Sequence, residues 1–163
     1  MLEIGMHAGS RDALMPLFAE ADDSETEIAQ YKDRGDLFVA RHDGEVVGQL
    51  LMVETAEPVV FELKSLAVYE NWRSRGIGTA LVKAGVAHCR QRGGRQLLVA
   101  TAAASIGALQ FYQRQGFRFH RIIRDFYSPE RGYRPLELNG ITLRDEIIFD
   151  MEVEPKITET VDA

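Results

Sequence analysis

Two neighbouring stretches carry side chains that could do chemistry where a buried core would be expected. The run ELKSLAV, Glu62 to Val68, alternates like a strand, yet it holds Glu62 and Lys64. A polar turn then leads into RSRGIGTA, where Arg73, Ser74, Arg75, Gly76, Ile77, Gly78 and Thr79 stand at the head of a helical pattern. Glycines allow a backbone to approach an anion closely. The first turn of a helix leaves about four N–H groups without internal partners, and the helix dipole favours negative charge there. Arg73 and Arg75 add the means for charge-assisted hydrogen bonds. The combination suits a pyrophosphate, although a glycine pair at a helix start serves equally well as a plain structural turn. It is not a Walker loop, because no Gly-Lys-Ser/Thr follows. It is not a dinucleotide fingerprint either, since GIGTAL lacks the third glycine and the strands before it do not open a βαβ unit.

The elements that must position these residues can be read from pattern. LEIGMH alternates as a short strand. GSRDALMPLFAEAD reads as a helix with Ser10 or Asp12 as its cap, and DSETEIAQYKDRG as a shorter one ending at Gly35. Asp43-Gly44 between two β-rich runs signals a hairpin, and Glu57-Pro58 a second reversal, so three strands form an antiparallel meander. GIGTALVKAGVAHCRQRGG is a helix stopped by Gly93-Gly94. RQLLVATA is a strand, ASIGALQFYQRQG a helix and FRFHRII a strand; after a long loop from about Asp125 to Gly140, ITLRDEIIFDMEV closes the sheet. The expectation is an α/β chain with a mixed sheet and helices on both faces, in one domain spanning residues 1–153. Residues 154–163 form a flexible tail.

Bulk properties narrow the function. A chain of 163 residues with 45% hydrophobic and 27% charged content is ordinary for a soluble globular protein. A net charge of −6 argues against a nucleic-acid partner held by a general basic field. The single cysteine, Cys89, excludes an internal disulfide and suits a reducing compartment. The opening MLEIGMHAGS has no basic region followed by an apolar run, so no signal peptide is expected. No apolar stretch approaches the roughly 18 residues of a membrane span. A cytoplasmic protein without a membrane partner is the reading.

The second half of the chain supplies the neighbours that the glycine turn needs. ELKSLAVYENWRSRGIGTALV resembles the signature region of the GNAT superfamily of acyl-CoA-dependent N-acyltransferases, whose Arg/Gln-x-x-Gly-x-Gly/Ala pattern is met by Arg73, Gly76 and Gly78. SIGALQFYQRQGFR is similar to the family's Asn-x-x-Ala-x-x-Phe-Tyr-x-x-x-Gly-Phe segment, met at Ala108, Phe111, Tyr112, Gly116 and Phe117. Ser105 stands where the family usually has an asparagine that contacts the pantetheine arm; it keeps a donor and an acceptor but is shorter. The likeness runs from about Leu2 to Val153 and implies the family's fold, a central, mostly antiparallel sheet flanked by helices.

The resemblance implies acetyl-CoA as acyl donor and an amine as acceptor. The pyrophosphate would meet backbone N–H groups from about Ser74 to Thr79. The pantetheine arm would pair like an extra strand with Leu66, Ala67 and Val68, as in β-augmentation. The Leu66 N–H would polarise the thioester carbonyl, where such a donor acts on developing charge. An alkyl ammonium has a pKa near ~10.4 and must lose a proton before it attacks. Glu62 aligns with the glutamate that some members use as general base, and strand alternation puts it on one face with Leu66. A solvated strand face with a Glu62–Lys64 ion pair is the plainer alternative, and Lys64 would lower the basicity of Glu62. Ser105, Ala108 and Tyr112 are spaced three and four apart and share a helical face. Tyr112 aligns with the family's general-acid tyrosine, the alternative being an anchor in the core.

Other features are less pointed. EADDSETE, residues 20–27, holds five acids and no base, and reads either as a solvated capping loop or as an acidic lip that attracts cationic amines. The loop DFYSPERGYRPLELNG brings Phe126, Tyr127 and Tyr133 either over the acceptor or into a homodimer contact. His7, His42, His88 and His120 have no metal-site spacing. Cys89 belongs to the core, and no Gly-x-Ser-x-Gly supports a serine nucleophile. The reading is an N-acetyltransferase acting on a primary amine through a tetrahedral intermediate, without a metal. A non-catalytic acyl-CoA-binding sensor could keep every glycine, but it would not need both Glu62 and Tyr112.

Overall fold

The apolar periodicities are realised as a seven-stranded sheet with helices on both faces, in a computed structural model that describes residues 1–155. The elements are β1 (Leu2–Met6), α1 (Met15–Ala21), α2 (Glu25–Tyr31), β2 (Asp36–His42), β3 (Glu45–Glu54) and β4 (Val60–Val68), then α3 (Ile77–Gln91), β5 (Gln96–Ala102), α4 (Ile106–Arg114) and β6 (Arg118–Ile123). The long loop contains a small hairpin, β7 (Glu137–Leu138) with β8 (Ile141–Thr142), and leads to β9 (Glu146–Glu152). Sheet order is β1-β2-β3-β4-β5-β9-β6, antiparallel throughout except for the β4–β5 pair.

The expected meander is β2–β3–β4, and β1 extends it to four strands. One detail differs from the sequence reading. The first helix begins at Met15 after a short 3-10 turn, Asp12–Leu14, and carries no side-chain cap; the Ser10 hydroxyl instead accepts from the Asp12 N–H at 3.2 Å. The last strand closes the sheet from within: β9 inserts between β5 and β6, leaving β6 outermost. Of the tail, residues 156–163 lie outside the described residues, while Arg90 holds the Glu154 carbonyl at 3.0 Å.

Two hydrophobic layers sandwich the sheet. On one side Leu81, Val82 and Cys89, at helical spacing on α3, pack with Tyr112 of α4 and with Leu50, Met52, Leu63 and Phe149. On the other, Leu17 and Phe18 of α1 and Ile28 and Tyr31 of α2 cover Leu37, Val39, Leu51 and Val53. Cys89 is fully enclosed, and burial pushes its thiol up to about 11, which fits a packing residue rather than a nucleophile.

The decisive local feature is in β4. Ser65 pairs with Leu51 and Leu63 with Met52, so Lys64 is an extra residue, a β-bulge. The bulge reverses the alternation of the strand. Leu63 before it and Leu66 after it both face the α3 layer, whereas Glu62, opposite Val53, and Ala67, opposite Gln49, face α1 and α2. Glu62 and Leu66 therefore lie on opposite faces of the sheet, contrary to the reading by even spacing.

Candidate active site

β4 and β5 are hydrogen-bonded in parallel only from Val60–Leu63 against Gln96–Val99. Beyond Leu63 the two strands part, each continuing with a different neighbour, and the edge of β4 from Lys64 onward turns towards a cavity of about 490 Å³. Both layers reach this cavity. Leu66, Ser105, Ala108 and Tyr112 line it from the α3–α4 side, and Glu62, Lys64, Tyr31 and Asp22 from the α1–α2 side.

The glycine turn forms as the motif requires. Ser74 (φ 61) and Gly76 (φ 80) are both left-handed, and Gly76 caps α3 without any side-chain hydrogen bond. The N–H groups of the first turn, Ile77 to Thr79, are thus left for an external acceptor. Gly78 is needed for closeness: a Cβ there would sit 3.3 Å from Phe111 Cζ of α4. Thr79 accepts from Gln115 Nε2 at 2.9 Å, so the head of α3 is fixed against α4. The arginines are engaged elsewhere. Arg73 donates from Nε to the Val68 carbonyl at 2.9 Å and from Nη2 to Glu20 at 2.7 Å, and Arg75 stacks on Trp72 at 4.8 Å. The backbone, not these guanidinium groups, is what the turn presents.

On α4, Ser105 is the cap residue, and Ser105, Ala108 and Tyr112 share the cavity-facing side, as their spacing requires. The Tyr112 ring is held edge-on by Phe111 at 5.2 Å and Phe117 at 5.7 Å. Burial pushes its phenol above the usual range, so it stays protonated at working pH.

The opposite side of the cavity is acidic and aromatic. Asp22, at the end of α1, accepts from Tyr133 Oη at 2.7 Å, from Tyr31 Oη at 3.0 Å and from the Ser24 N–H at 3.0 Å. Burial, reinforced by this carboxylate, lifts both phenols well above their usual range. Ser24 caps α2, accepting from the Glu27 N–H at 3.2 Å, and donates to the Arg131 carbonyl at 2.6 Å, tying the long loop down. That loop delivers Phe126, Tyr127 and Tyr133 to the cavity as a mutually packed cluster, with Tyr127 and Tyr133 centroids 4.9 Å apart. Glu62 and Lys64 pair at 3.7 Å, and the Lys64 ammonium lies 5.1 Å from the centre of the Tyr31 ring.

Tyr31 and Glu146 carry no signal in the sequence, and Asp22 stands there only as one acid of the segment 20–27. Tyr31 and Tyr133 reach Asp22 from 9 and 111 residues away, and no local pattern records that. The histidines serve local pairs: His88 with Asp36 at 2.8 Å, and His120 with Asp150 at 3.2 Å. Among the described residues no group of three or more His, Cys, Asp or Glu side chains is placed to hold a metal ion, and no helix is long and apolar enough to cross a membrane.

The profile of the "Acetyltransferase (GNAT) family" matches residues 8–117. An uncharacterised N-acetyltransferase of Bacillus subtilis is 30% identical over 146 residues, covering 90% of this chain and 93% of its own length. A GNAT family acetyltransferase from Elizabethkingia anophelis, crystallised with acetyl-CoA bound, superposes with a TM-score of 0.86 at 29% identity, covering 93% of this chain and 97% of the other. An IAA acetyltransferase from Bacillus cereus gives a TM-score of 0.85 at 33% identity, covering 93% of this chain and 99% of the other.

Proposed function

Since the chain belongs to the GNAT acetyltransferase family, we propose that it moves an acetyl group from acetyl-CoA to a primary amine, with a small cationic amine favoured over a protein N-terminus or lysine. The observation that carries this is the parting of β4 and β5, where one cavity takes in Leu66 and the Ser105–Ala108–Tyr112 face on one side of the sheet and acidic and aromatic side chains on the other.

The cofactor side follows from groups left open. The first-turn N–H groups of Ile77, Gly78 and Thr79, with left-handed Ser74 and Gly76 in the turn before them, suit the pyrophosphate. Leu66, Ala67 and Val68 offer a strand edge to the amide-bearing pantetheine arm, with Ser105 and Ala108 facing it from α4. In this reading the Leu66 N–H stabilises charge on the thioester oxygen in the tetrahedral intermediate. Arg73 holds the end of β4 to α1 and so keeps that edge in place.

On the acceptor side, Glu20, Asp22, Asp23, Glu27, Glu62 and Glu146 line the cavity against only Lys64 and Arg73, both of which are paired. That excess of carboxylates, with the rings of Tyr31, Phe126, Tyr127 and Tyr133, favours an ammonium group. A carboxylate of this face takes the ammonium proton; Glu62 and Glu146 both reach the chamber. Tyr112 returns a proton to the leaving thiolate. Its raised pKa does not oppose this, because the same desolvation raises the thiol.

Thiol release from acetyl-CoA, measured against polyamines, aminoglycosides, amino acids and peptide N-termini, tests the proposal. Transfer to one class names the acceptor. Acetyl-CoA binding with no transfer to any of them would instead favour a non-catalytic acyl-CoA sensor.

A further inference from the structure

Glu146 is 7% exposed and makes no hydrogen bond or ion pair among the described residues, yet it lines the cavity. Its carboxylate oxygens are not among the fully enclosed polar atoms, so they open on the cavity itself, and an unpaired, largely desolvated carboxylate facing a cleft is a candidate for acid–base work. Its position fits a reacting group. It opens β9 directly across from Ala102, the last residue of β5, at the end of the sheet where β4 and β5 have parted. Its neighbours on that face are Tyr133 and Leu143 of the long-loop cluster, which also packs on Ala102. Resting on the acetyl-transfer reading, we propose that Glu146, and not Glu62, accepts the proton from the attacking amine.

Glu62 is the poorer candidate because its carboxylate is already paired with Lys64 at 3.7 Å, whereas Glu146 has no partner among the described residues. Glu146 is faced by Lys64 and Glu62 of β4, Asp22 beyond α1, and Arg131 and Tyr127 of the long loop. Burial is the largest influence and raises it; Lys64 and Arg131 pull it down while Glu62 and Asp22 push it up, leaving it at about 7. A base poised there is ionised for about half of the molecules at neutral pH and still strong enough to take a proton. Glu62 then acts through Glu146: it occupies Lys64 and adds a like charge.

The step balances as follows. The ammonium gives one proton to Glu146, and the freed nitrogen lone pair forms the C–N bond at the thioester carbon. The C–S bond breaks with its electron pair on sulfur, which takes the Tyr112 proton. The second nitrogen proton restores the phenol, and Glu146 releases its own to solvent, so one proton leaves per turnover.

The test uses the full-length protein with acetyl-CoA and spermidine as probe, the amine panel run beside it, and thiol release followed from pH 5 to 9. Wild-type kcat/KM should rise with pH through about 7. Glu146→Gln should lose that limb and fall by about 10² or more, with acetyl-CoA affinity within twofold as the check that it folds. Glu62→Gln should keep the limb but move it to lower pH, because a like charge is removed and Lys64 is released. In parallel, carbon-13 spectra of protein labelled at the glutamate carboxyl should show one signal titrating near neutrality that Glu146→Gln lacks. Retention of limb and rate in Glu146→Gln would overturn the assignment while leaving the transferase reading intact. A Glu146 carboxyl titrating near the ordinary ~4.3 would overturn it too. Absence of transfer to every amine by the wild type would sink both together.

Discussion

Placing a negative charge at Gly78 should separate anion binding from folding, because it acts on the two in opposite directions. Gly78 is half-buried in the first turn of α3, and a side chain there meets only the Phe111 ring, 3.3 Å from the new Cβ. The ring must yield by a few tenths of an ångström in Gly78→Gln and Gly78→Glu alike. Both variants gain about 1 kcal/mol of helix propensity over glycine. The glutamate gains a further ~0.3–1 kcal/mol from the helix dipole, so it should melt no lower than the glutamine variant. Binding runs the other way. A carboxylate about 5 Å from each of two pyrophosphate charges is opposed by roughly 0.8 kcal/mol per pair in water and about 3 at an effective dielectric of 20. Two pairs amount to at least about tenfold in affinity. Calorimetry with CoA should therefore show Gly78→Glu at least tenfold weaker than Gly78→Gln, with thermal melts in the reverse order. Acetyl-pantetheine, which lacks the pyrophosphate, should bind both variants equally. Equal CoA affinity for the two would mean that no anion sits at this turn.

Tyr112→Phe keeps the ring in its aromatic nest and removes only the hydroxyl, so kcat should fall by about 10² while the Kd for CoA changes less than twofold; an unchanged kcat would leave Tyr112 a packing residue. Gly94→Ala would drive a Cβ into Cys89 Sγ and place it 2.8 Å from Phe61 Cδ2. Overpacking of this kind costs ~1–3 kcal/mol, or roughly 2–4 °C of Tm per kcal/mol in a chain of this size. Adding Cys89→Ala should recover part of the loss in thermal melts, and an undisturbed Tm in the single variant would show that the helix end relaxes freely.

Local patterns carried much of the fold and half of the site. The glycine turn and the Ser105–Ala108–Tyr112 face are each written within one turn or one helix, so spacing gives their local geometry, while their roles rest on the family resemblance. The position of β9 was also written, though it went unread. Ile147, Ile148 and Phe149 form a continuous buried run, the mark of an interior strand, whereas β6 interleaves Arg118, His120 and Arg121 and is exposed along its length. The acidic and aromatic side was legible only in part: residues 20–27 and the ring-bearing loop stand out in the sequence, but not their meeting. Asp22, Tyr31, Tyr133 and Glu146 come from four separate segments, and only the folded sheet brings them to one chamber.

The relation between Glu62 and Leu66 failed for a different reason, and that reason bears on how the site exists at all. Reading faces by even spacing assumes one residue per ladder position, and Lys64 breaks the assumption. A bulge bends its strand and increases the local twist. In this sheet it falls immediately after Leu63, the last β4 residue paired with β5. The twist that carries Leu66 to the α3 face thus coincides with the end of the β4–β5 ladder and the opening of the gap. It also turns Lys64 back towards Glu62 and Tyr31, on the side away from Leu66. A straight β4 would let Lys64 to Leu66 continue the ladder that ends at Leu63–Val99, and would seal the Leu66 edge from the acidic, aromatic side of the cavity. One inserted residue both defeats the strand parity and makes the passage through the sheet.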